Sequence, residues 1–358
     1  MKWKSLCFFM LVTLALSGCT HLRGVDGALS QLKQNAAAGD ITAQIALAME
    51  YESGEVIPAN DSLAIYWYKT AAKQGSAEGA FRAATILFEN NAVYTQEVEQ
   101  LYAQAANAEY VEAQLGYANF LVATTAAVDS VSKGRAFKLY LAAAQQELPE
   151  AQFKVAELYA TGNGTAVDLS AAHKWYRRSA ELGNVQAQLV VGDLYLRGIG
   201  IPTSIANAAS WYERAAVQDS MQAQSNLGDI LTLDAYSSLR NLKLGAEWYR
   251  KAAEQGHSHA STRLGQLYEA GDGVVRDAGV AAKWYYAAAQ AGHASAECRL
   301  GSLYLRGFGV PQNNTEAERW FLRAAEQIPA EISPVLGFMY YDCEQFDRAT
   351  YNSSVVVN

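Results

Sequence analysis

Few residues in this chain combine types and spacing that could carry out chemistry. Ser30 and Lys33 have the SxxK spacing in which a lysine activates a nucleophilic serine, but the SDN and KTG elements that complete such a site are absent. His257 and His259 could share a metal ion, yet His257 and His293 stand 36 residues apart at equivalent positions, which favours a structural role. Gly-x-Gly segments follow helical patterns and lack a third glycine, so they are poor phosphate-binding loops. We therefore predict no catalytic residue, no metal and no cofactor.

The beginning of the chain has the pattern of an export signal. Lys2 and Lys4 are followed by an apolar stretch at residues 6–16, which is shorter than the roughly 20 apolar residues that span a bilayer. A basic start and a short apolar stretch are typical of a signal peptide rather than of a membrane anchor. The stretch ends in Leu16-Ser17-Gly18-Cys19, which resembles the lipobox of bacterial lipoproteins.

The lipobox resemblance implies that the signal peptide, residues 1–18, is removed and that Cys19 is lipidated. Two or three acyl chains anchor a protein stably where one chain does not. Thr20 rather than an aspartate follows Cys19, which in such proteins implies an outer-membrane lipid anchor, here expected to face the periplasm. The alternative is an ordinary signal peptide that ends near a cysteine by chance.

Composition excludes two broad classes of protein. Hydrophobic residues make up 51% of the chain and charged residues 18%, which is not the composition of an intrinsically disordered protein. The net charge of −8 becomes −10 without Lys2 and Lys4. Because proteins that bind nucleic acid carry a basic face, this balance argues against a nucleic-acid partner.

One motif is repeated along most of the chain. A small residue opens each repeat at intervals of 34 to 38 residues, and self-similarity of this period predicts a repeat architecture. An aromatic pair or its remnant follows 22 to 26 residues later, and six of the seven tryptophans stand at this position. The repeats open at Ala43, Gly79, Ala113, Ala151, Ala187, Ala223, Ala260 and Ala296, with a ninth start at Ile332.

The pattern inside a repeat predicts two antiparallel helices. Small and apolar residues of segments such as 187–195 fall on one helical face. Glycines such as Gly198 and Gly256 stand where each helix should end, since glycine adopts the left-handed conformation of a C-cap. Another glycine recurs inside the first helix, at a cost of about 1 kcal/mol in helix propensity. It predicts that a neighbouring helix leaves no room for a side chain at Gly192, Gly228, Gly265, Gly301 and Gly337.

The pattern AxxxxGxLYxxGxG followed by WYxxAAxxG resembles the Sel1-like repeat, a relative of the tetratricopeptide repeat. The resemblance implies an all-α fold, an α/α solenoid or superhelix of antiparallel helix pairs. Residues 79–149 lack the tryptophan and the glycine loop, and residues 234–238 replace the loop of the sixth repeat. The predicted parts are a signal peptide at 1–18, a lipid-anchored N-terminus and capping helix at 19–38, a solenoid of about eight repeats and a half repeat at 39–341, and a tail at 342–358.

The resemblance also implies where a partner would bind, because first helices line the concave side of such arrays. The residues three, six and ten places after the one that opens each repeat vary in type and share one helical face. Repeat proteins bind other proteins on extended surfaces of this kind. The alternative is that these are ordinary solvated positions. The predicted partner-binding residues are Lys154, Glu157, Asp193, Arg197, Asn226, Asp229, Arg263, Gln266, Arg299, Ser302 and Arg306.

Cys298 and Cys343 are the cysteines that remain beside Cys19 after cleavage. In the repeat register Cys343 lies nine positions past the equivalent of Cys298. That offset is about 13 Å along a helix, beyond the roughly 7 Å between Cα atoms that a disulfide allows. We therefore predict two free thiols.

Together, the lipobox and the repeats predict a non-catalytic protein–protein interaction scaffold. In overall plan the chain resembles the scaffold lipoproteins of alginate and related exopolysaccharide export, which implies an outer-membrane porin and periplasmic or inner-membrane complex members as partners. One alternative is a Sel1-like envelope or host-interaction factor. Another is a hydrolase of cell-wall or β-lactam compounds, but the Sel1-like proteins credited with that activity carry paired cysteines in each repeat, and this chain does not.

Overall fold

The computed structural model describes residues 21–91, 96–124, 130–327 and Cys343. These residues form α-helices and one 3-10 helix, with no β-strand among them, which confirms the predicted all-α solenoid of helix pairs. The α-helices are α1 His21–Ala37, α2 Ile41–Ser53, α3 Asp61–Lys73, α4 Ala77–Asn91, α5 Gln96–Asn107, α6 Val111–Thr124, α7 Ser130–Gln145, α8 Pro149–Thr161, α9 Leu169–Glu181, α10 Val185–Arg197, α11 Ile205–Ala216, α12 Met221–Thr232, α13 Leu242–Glu254, α14 Ser258–Ala270, α15 Ala278–Gln290, α16 Ala294–Arg306 and α17 Asn314–Glu326. The 3-10 helix Asp234–Leu239 lies between α12 and α13.

The helices pack in chain order within two compact units, residues 1–168 and residues 169–358. In each unit every helix packs on the next one along the chain, so first helices (even-numbered, α2 to α16) alternate with second helices (odd-numbered, α3 to α17). A helix pair of this kind buries its apolar face only against its neighbours. None of the described helices is long and apolar enough to cross a bilayer.

Capping residues set the helix ends. Asp40, Asn184 and Ser220 precede α2, α10 and α12, and each side chain accepts a hydrogen bond from the backbone N–H three residues later, as N-cap residues do. Gly198 and Gly271 end α10 and α14 with φ of 70° and 86°. The glycine loops therefore act as left-handed C-caps, as the sequence predicts.

The turns that follow the second helices α5, α7 and α11 each have a non-glycine residue in the left-handed region. These residues are Glu109, Glu147 and Asp219, with φ of 58°, 63° and 62°. A side chain there costs about 1–2 kcal/mol. We expect Glu147→Gly to raise the free energy of unfolding by about 1 kcal/mol, since glycine also makes the unfolded chain more flexible and so recovers only part of that cost. Urea denaturation would measure it. Glu150→Gly, inside α8, should instead lower stability, and a loss of stability in Glu147→Gly would contradict the prediction.

Second-helix tyrosines fill the centre of each repeat. Tyr212 and Tyr249 are fully buried. A Cβ atom added to Gly192 would lie 2.5 Å from the Tyr212 ring, and one added to Gly228 would lie 2.5 Å from the Tyr249 ring. The glycine inside the first helix therefore makes room for the tyrosine of the second helix, which confirms the predicted close approach.

A buried glutamine joins helices of successive repeats. Gln188 Nε2 donates a hydrogen bond to the Ala180 carbonyl at 3.1 Å, and Gln188 Oε1 accepts one from Gln218 Nε2 at 2.9 Å. The amide thus satisfies a carbonyl at the end of one second helix and fixes the end of the next. Other glutamines that donate to the equivalent carbonyl are Gln44, Gln152 and Gln224.

Glu297 occupies the position of that glutamine on α16 and is completely buried. A carboxylate cannot donate to the Ala289 carbonyl, and Arg323 of α17 does so instead at 3.2 Å while its guanidinium lies 2.9 Å from Glu297 Oε1. Gln327 donates to Glu297 Oε2 at 2.8 Å. Burial raises the pKa of Glu297 above its ordinary value, although Arg323 and Gln327 oppose the rise. Arg323 is therefore the partner of a buried charge.

Cys298 and Cys343 form a disulfide bond, so the prediction of two free thiols is wrong. Their Cα atoms are 5.9 Å apart, so the offset of about 13 Å that the repeat register predicts does not hold for Cys343. Cys298 is fully buried, and the pair packs beside Phe321 of α17. The predicted ninth repeat start and the predicted lipidation site, Cys19, lie outside the described residues.

Candidate functional site

In the first unit, the predicted partner-binding residues are a charged pair on α8. Lys154 Nζ lies 2.9 Å from Glu157 Oε2, and the two side chains are 39% and 40% exposed. An exposed pair of this kind contributes only about 0–1 kcal/mol. Either group can therefore exchange its partner for one on another protein at little cost.

In the second unit, the predicted acidic residues are bonded to buried tyrosines. The Tyr212 hydroxyl donates to Asp193 Oδ1 at 2.5 Å, and the Tyr249 hydroxyl donates to Asp229 Oδ1 at 2.6 Å. Burial, and then the neighbouring carboxylate, raises the pKa of both tyrosines above the ordinary value. The hydroxyls therefore stay protonated and hold the two carboxylates in place on the surface of the first helices.

Asp229 is the centre of a polar cluster that joins two repeats. Besides Tyr249, it contacts His259 Nε2 at 3.2 Å and lies 3.8 Å from Arg263 Nε. Burial opposes its ionisation, but His259, the Tyr249 hydroxyl and Arg263 outweigh burial and hold the pKa of Asp229 below its ordinary value. Arg263 Nη1 also donates to Gln266 at 2.6 Å. The cluster fixes the direction of the Arg263 guanidinium.

The next repeat also joins a buried tyrosine to a carboxylate, here from a different position of the first helix. Glu269 Oε2 accepts from the Tyr285 hydroxyl at 2.8 Å, and Arg306 lies 3.4 Å from Glu269 Oε1. Burial and Glu269 raise the pKa of Tyr285, whereas the nearby charge of Arg299 lowers it. Arg299 is thus directed to the tyrosine of the preceding repeat, as Arg263 is, and the two arginines stand 36 residues apart.

A groove of about 770 Å³ opens between α12, α14, α16 and the 3-10 helix. Three of the predicted residues, Arg263, Gln266 and Arg299, line this groove. The full lining is Thr232, Leu233, Asp234, Arg240, Leu242, Arg263, Gln266, Leu267, Glu269, Ala270, Asp272 and Arg299.

The other predicted residues of the second unit lie outside the groove lining. Asn226 Oδ1 accepts from Gln222 Nε2 at 2.7 Å, and the Ser302 carbonyl accepts from Arg306 Nε at 3.2 Å. Arg197 is exposed at the end of α10. These side chains share the face of the first helices but are not brought together into one site.

Sequence reasoning missed part of the groove wall. Asp234 and Arg240, an ion pair at 3.3 Å, and Glu269 belong to the lining but not to the predicted set. The sequence feature that could have indicated this wall is the loss of the glycine loop at residues 234–238. A local departure from the repeat consensus is expected at functional positions.

The residues that the sequence offered for chemistry, Ser30, Lys33, His257 and His259, do not line the groove. Among the described residues, no group of three or more His, Cys, Asp or Glu side chains could hold a metal ion. The His257 and His259 rings are 6.4 Å apart, and Gln222 and Asp229 engage them. Ser30 and Lys33 are exposed on α1. The groove instead presents fixed guanidinium, amide and carboxylate groups that can bind a protein surface.

His257 caps α14 in its neutral form. Its Nδ1 accepts from the Ala260 N–H at 3.2 Å and its Nε2 lies 3.2 Å from Gln222 Oε1, so the proton belongs on Nε2. Burial, and next the charge of His259, lower the pKa of His257 from its ordinary value of 6.5, while Asp229 opposes that shift. Protonation would remove the cap and place a positive charge at a helix N-terminus.

We therefore expect stability to fall between pH 8 and pH 5, and His257→Asn to reduce that fall. Below about pH 6.5 the unfolded chain takes up a proton at His257 that the folded chain resists, so stability present at higher pH is lost. Asparagine keeps the cap and does not titrate. Thermal melts followed by circular dichroism at both pH values would measure the difference. As a control, Asn184→Ala should lower the free energy of unfolding by about 1 kcal/mol at both pH values. If His257→Asn and the parent had the same pH dependence, the account would be contradicted.

Comparison with known proteins gives the family. The sequence profile of the Sel1 repeat matches residues 41–76, 129–148, 149–184, 185–220, 222–257, 258–293 and 294–328. None of the curated proteins matches the chain in sequence.

Among solved structures, a Sel1 repeat protein from Oxalobacter formigenes has 24% identity and a TM-score of 0.63 over 87% of this chain and 90% of its own. A protective antigen of uropathogenic Escherichia coli with an SLR fold has 21% identity and a TM-score of 0.36 over 88% and 86% of the two chains. Sel1 repeats are a fold typically used for protein–protein interaction and generally act as non-catalytic scaffolds. Since the repeat profile covers more than half of its residues, the chain belongs to the Sel1 repeat family.

Proposed function

We propose that this protein is an outer-membrane lipoprotein that faces the periplasm and serves as a non-catalytic scaffold for other proteins. The observation that carries the proposal is the groove on α12, α14 and α16, which three predicted partner-binding residues line. Arg263 and Arg299 are each held by a tyrosine–carboxylate pair. Groups fixed before binding lose less conformational freedom when a partner docks.

Two features support an exported, anchored protein. The chain begins with a basic and apolar signal pattern that ends in the lipobox-like segment before Cys19. The Cys298–Cys343 disulfide is typical of proteins in oxidising compartments, of which the bacterial periplasm is one. Neither feature names a partner, but both agree with a scaffold that works outside the cytoplasm.

The partners proposed are an outer-membrane porin and periplasmic or inner-membrane members of an exopolysaccharide export complex, of the alginate type. The support is the combination of a lipobox with an array of Sel1 repeats, a plan that resembles the scaffolds of such complexes. A net charge of −8 speaks against a nucleic-acid partner.

Complementation of a deletion strain tests the proposal. We expect the parental gene to restore porin abundance in the outer membrane and secretion of polysaccharide, and Arg263→Glu/Arg299→Glu to restore neither. Lys33→Glu/Lys73→Glu, which makes the same charge change away from the groove, should restore both. Normal export in the deletion strain would contradict the scaffold role in export.

Cys19→Ala tests the anchor separately. We expect the substituted chain to leave the outer-membrane fraction, because it lacks the acylated residue. Outer-membrane recovery equal to that of the parent would contradict lipidation at Cys19. A matched Cys7→Ala variant removes a cysteine from the predicted signal peptide and should stay in the membrane fraction.

A further inference from the structure

A basic stripe follows the second helices of the second unit. On each of α9, α11, α13, α15 and α17, the residues one before and three after the repeat tryptophan share a helical face. Seven of these ten positions are lysine or arginine, and only Glu247 is acidic. The same positions on α3, α5 and α7 of the first unit hold a single basic residue, Lys138. The stripe consists of Lys174, Arg178, Arg214, Lys251, Lys283, Arg319 and Arg323.

The charge balance of the chain changes at the same place. Residues 21–168 contain nine Lys or Arg and seventeen Asp or Glu, whereas residues 169–327 contain sixteen and fifteen. The negative charge of the protein therefore belongs to its first part. The second part is therefore close to neutral.

Three of the seven cations of the stripe are held in place without being neutralised. Arg178, Arg214 and Lys251 lie over the ring of the tryptophan on their own helix, at 4.9, 4.4 and 4.1 Å from its centre. Neither these three nor Lys174 and Lys283 form an ion pair with any described residue. Arg319 pairs with Glu316 at 3.7 Å, and Arg323 is committed to Glu297.

Exposed apolar side chains accompany these cations. Val217 follows α11 and is 66% exposed, and Leu322 of α17 is 53% exposed. A soluble acidic partner would need only the cations. Cations together with exposed apolar side chains on the same helices are typical of surfaces that lie at a membrane interface. Other exposed apolar residues on or next to these helices are Leu169, Leu182, Leu244 and Tyr286.

We propose that the stripe is a binding surface for an anionic lipid bilayer, with its cations among the headgroups and its apolar side chains at the headgroup boundary. Each basic residue near such a membrane strengthens binding by about fivefold. The five unpaired cations therefore give appreciable affinity together and little individually. The proposal does not depend on acylation of Cys19, since the surface belongs to the repeats.

Vesicle sedimentation tests this surface. The full chain is prepared with Cys19→Ser in every variant, so that no variant is acylated and all share the same leader. We expect Arg178→Glu/Arg214→Glu/Lys251→Glu to lower partitioning to phosphatidylcholine–phosphatidylglycerol vesicles by about tenfold or more. Lys33→Glu/Lys73→Glu/Lys138→Glu has the same net charge and should partition like the parent. Pure phosphatidylcholine vesicles should bind all of them weakly.

Two further variants keep the test decisive if loss of the tryptophan-stacked cations disturbs folding. Lys174→Glu/Lys283→Glu changes exposed cations without such contacts and should still lower binding by about tenfold or more. Val217→Ser/Leu322→Ser should lower binding to anionic vesicles but not to polygalacturonate, a soluble polyanion. Equal binding to both vesicle types, equal losses in the control variant, or binding to polygalacturonate alone would overturn the proposal.

Discussion

Replacement of Arg323 by alanine should lower the free energy of unfolding by about 3–5 kcal/mol near neutral pH, the cost of leaving a buried charge without its partner. The Glu297 side chain is 1% exposed, and Arg323 both pairs with it and satisfies the Ala289 carbonyl. Alanine would leave the carboxylate with Gln327 as its remaining partner. Chemical denaturation followed by circular dichroism would measure the change.

Glu297→Gln is the matched control, because other repeats use glutamine at this position. In the double variant Glu297→Gln/Arg323→Ala, the amide can donate to the Ala289 carbonyl as Gln188 does to Ala180. We expect the double variant to recover most of the stability that Arg323→Ala loses. Equal losses in the single and double variants would show that Arg323 acts through packing on Trp320 rather than through the buried charge.

The pH dependence adds a second check on the same pair. Because burial raises the pKa of Glu297, the folded chain holds a proton there more tightly than the unfolded chain. The stabilisation that comes from protonation of the Glu297 carboxyl is fully present below the ordinary carboxylate pKa of about 4.3. It is lost as the pH rises through the pKa that Glu297 has in the folded chain. The deficit of Arg323→Ala should therefore grow between pH 4 and pH 7, while the double variant shows no such growth.

Removal of the Cys298–Cys343 disulfide should also have a large effect. The bond closes a segment of 45 residues, for which loop entropy gives a stabilisation of roughly 4 kcal/mol, within the usual range of about 2–5. Cys343→Ser should lower the melting temperature and increase amide exchange in α16 and α17, the helices that the bond joins to the end of the chain.

Reduction supplies the control for that experiment. The parent treated with a dithiol reductant should melt like Cys298→Ser/Cys343→Ser, and the double variant should not respond to the reductant. If Cys343→Ser kept the parental melting temperature and the parental exchange of α16 and α17, the bond would have no part in holding the end of the array.

Repeat spacing was sufficient to predict the helix pairs because each pair uses the same few contacts. The glycine of the first helix faces the tyrosine of the second, as Gly228 faces Tyr249, and glycine loops such as the one at Gly198 end the first helices. Residues that recur for packing reasons recur at a fixed spacing. The fold could therefore be inferred without any long-range information.

Contacts that occur once could not be inferred in this way. The disulfide was misjudged because the repeat register was extended to Cys343, whose Cα atom instead lies 5.9 Å from that of Cys298. The Glu297–Arg323 pair replaces a repeated glutamine contact with a different pair of groups. Neither contact recurs from repeat to repeat, so the repeat spacing could not predict it.

The candidate surface was predicted in part, for a similar reason. Helical spacing predicts that Arg263 and Arg299 share one face, and both line the groove. Spacing could not show that Asp193 and Asp229 are bonded to buried tyrosines. Variable positions in a repeat therefore include structural pairs as well as residues that are available to a partner.

Site-specific photocrosslinking from Gln266 in intact cells tests the scaffold role most directly. Gln266 lines the groove beside Arg263 and Arg299, so a photoreactive residue there should form an adduct with a porin or another export-complex protein. The adduct should disappear with Arg263→Glu/Arg299→Glu and should be absent when the probe replaces Ser30 on α1. No protein adduct from Gln266 at normal cellular levels, or adducts that persist when both arginines are reversed, would contradict the account.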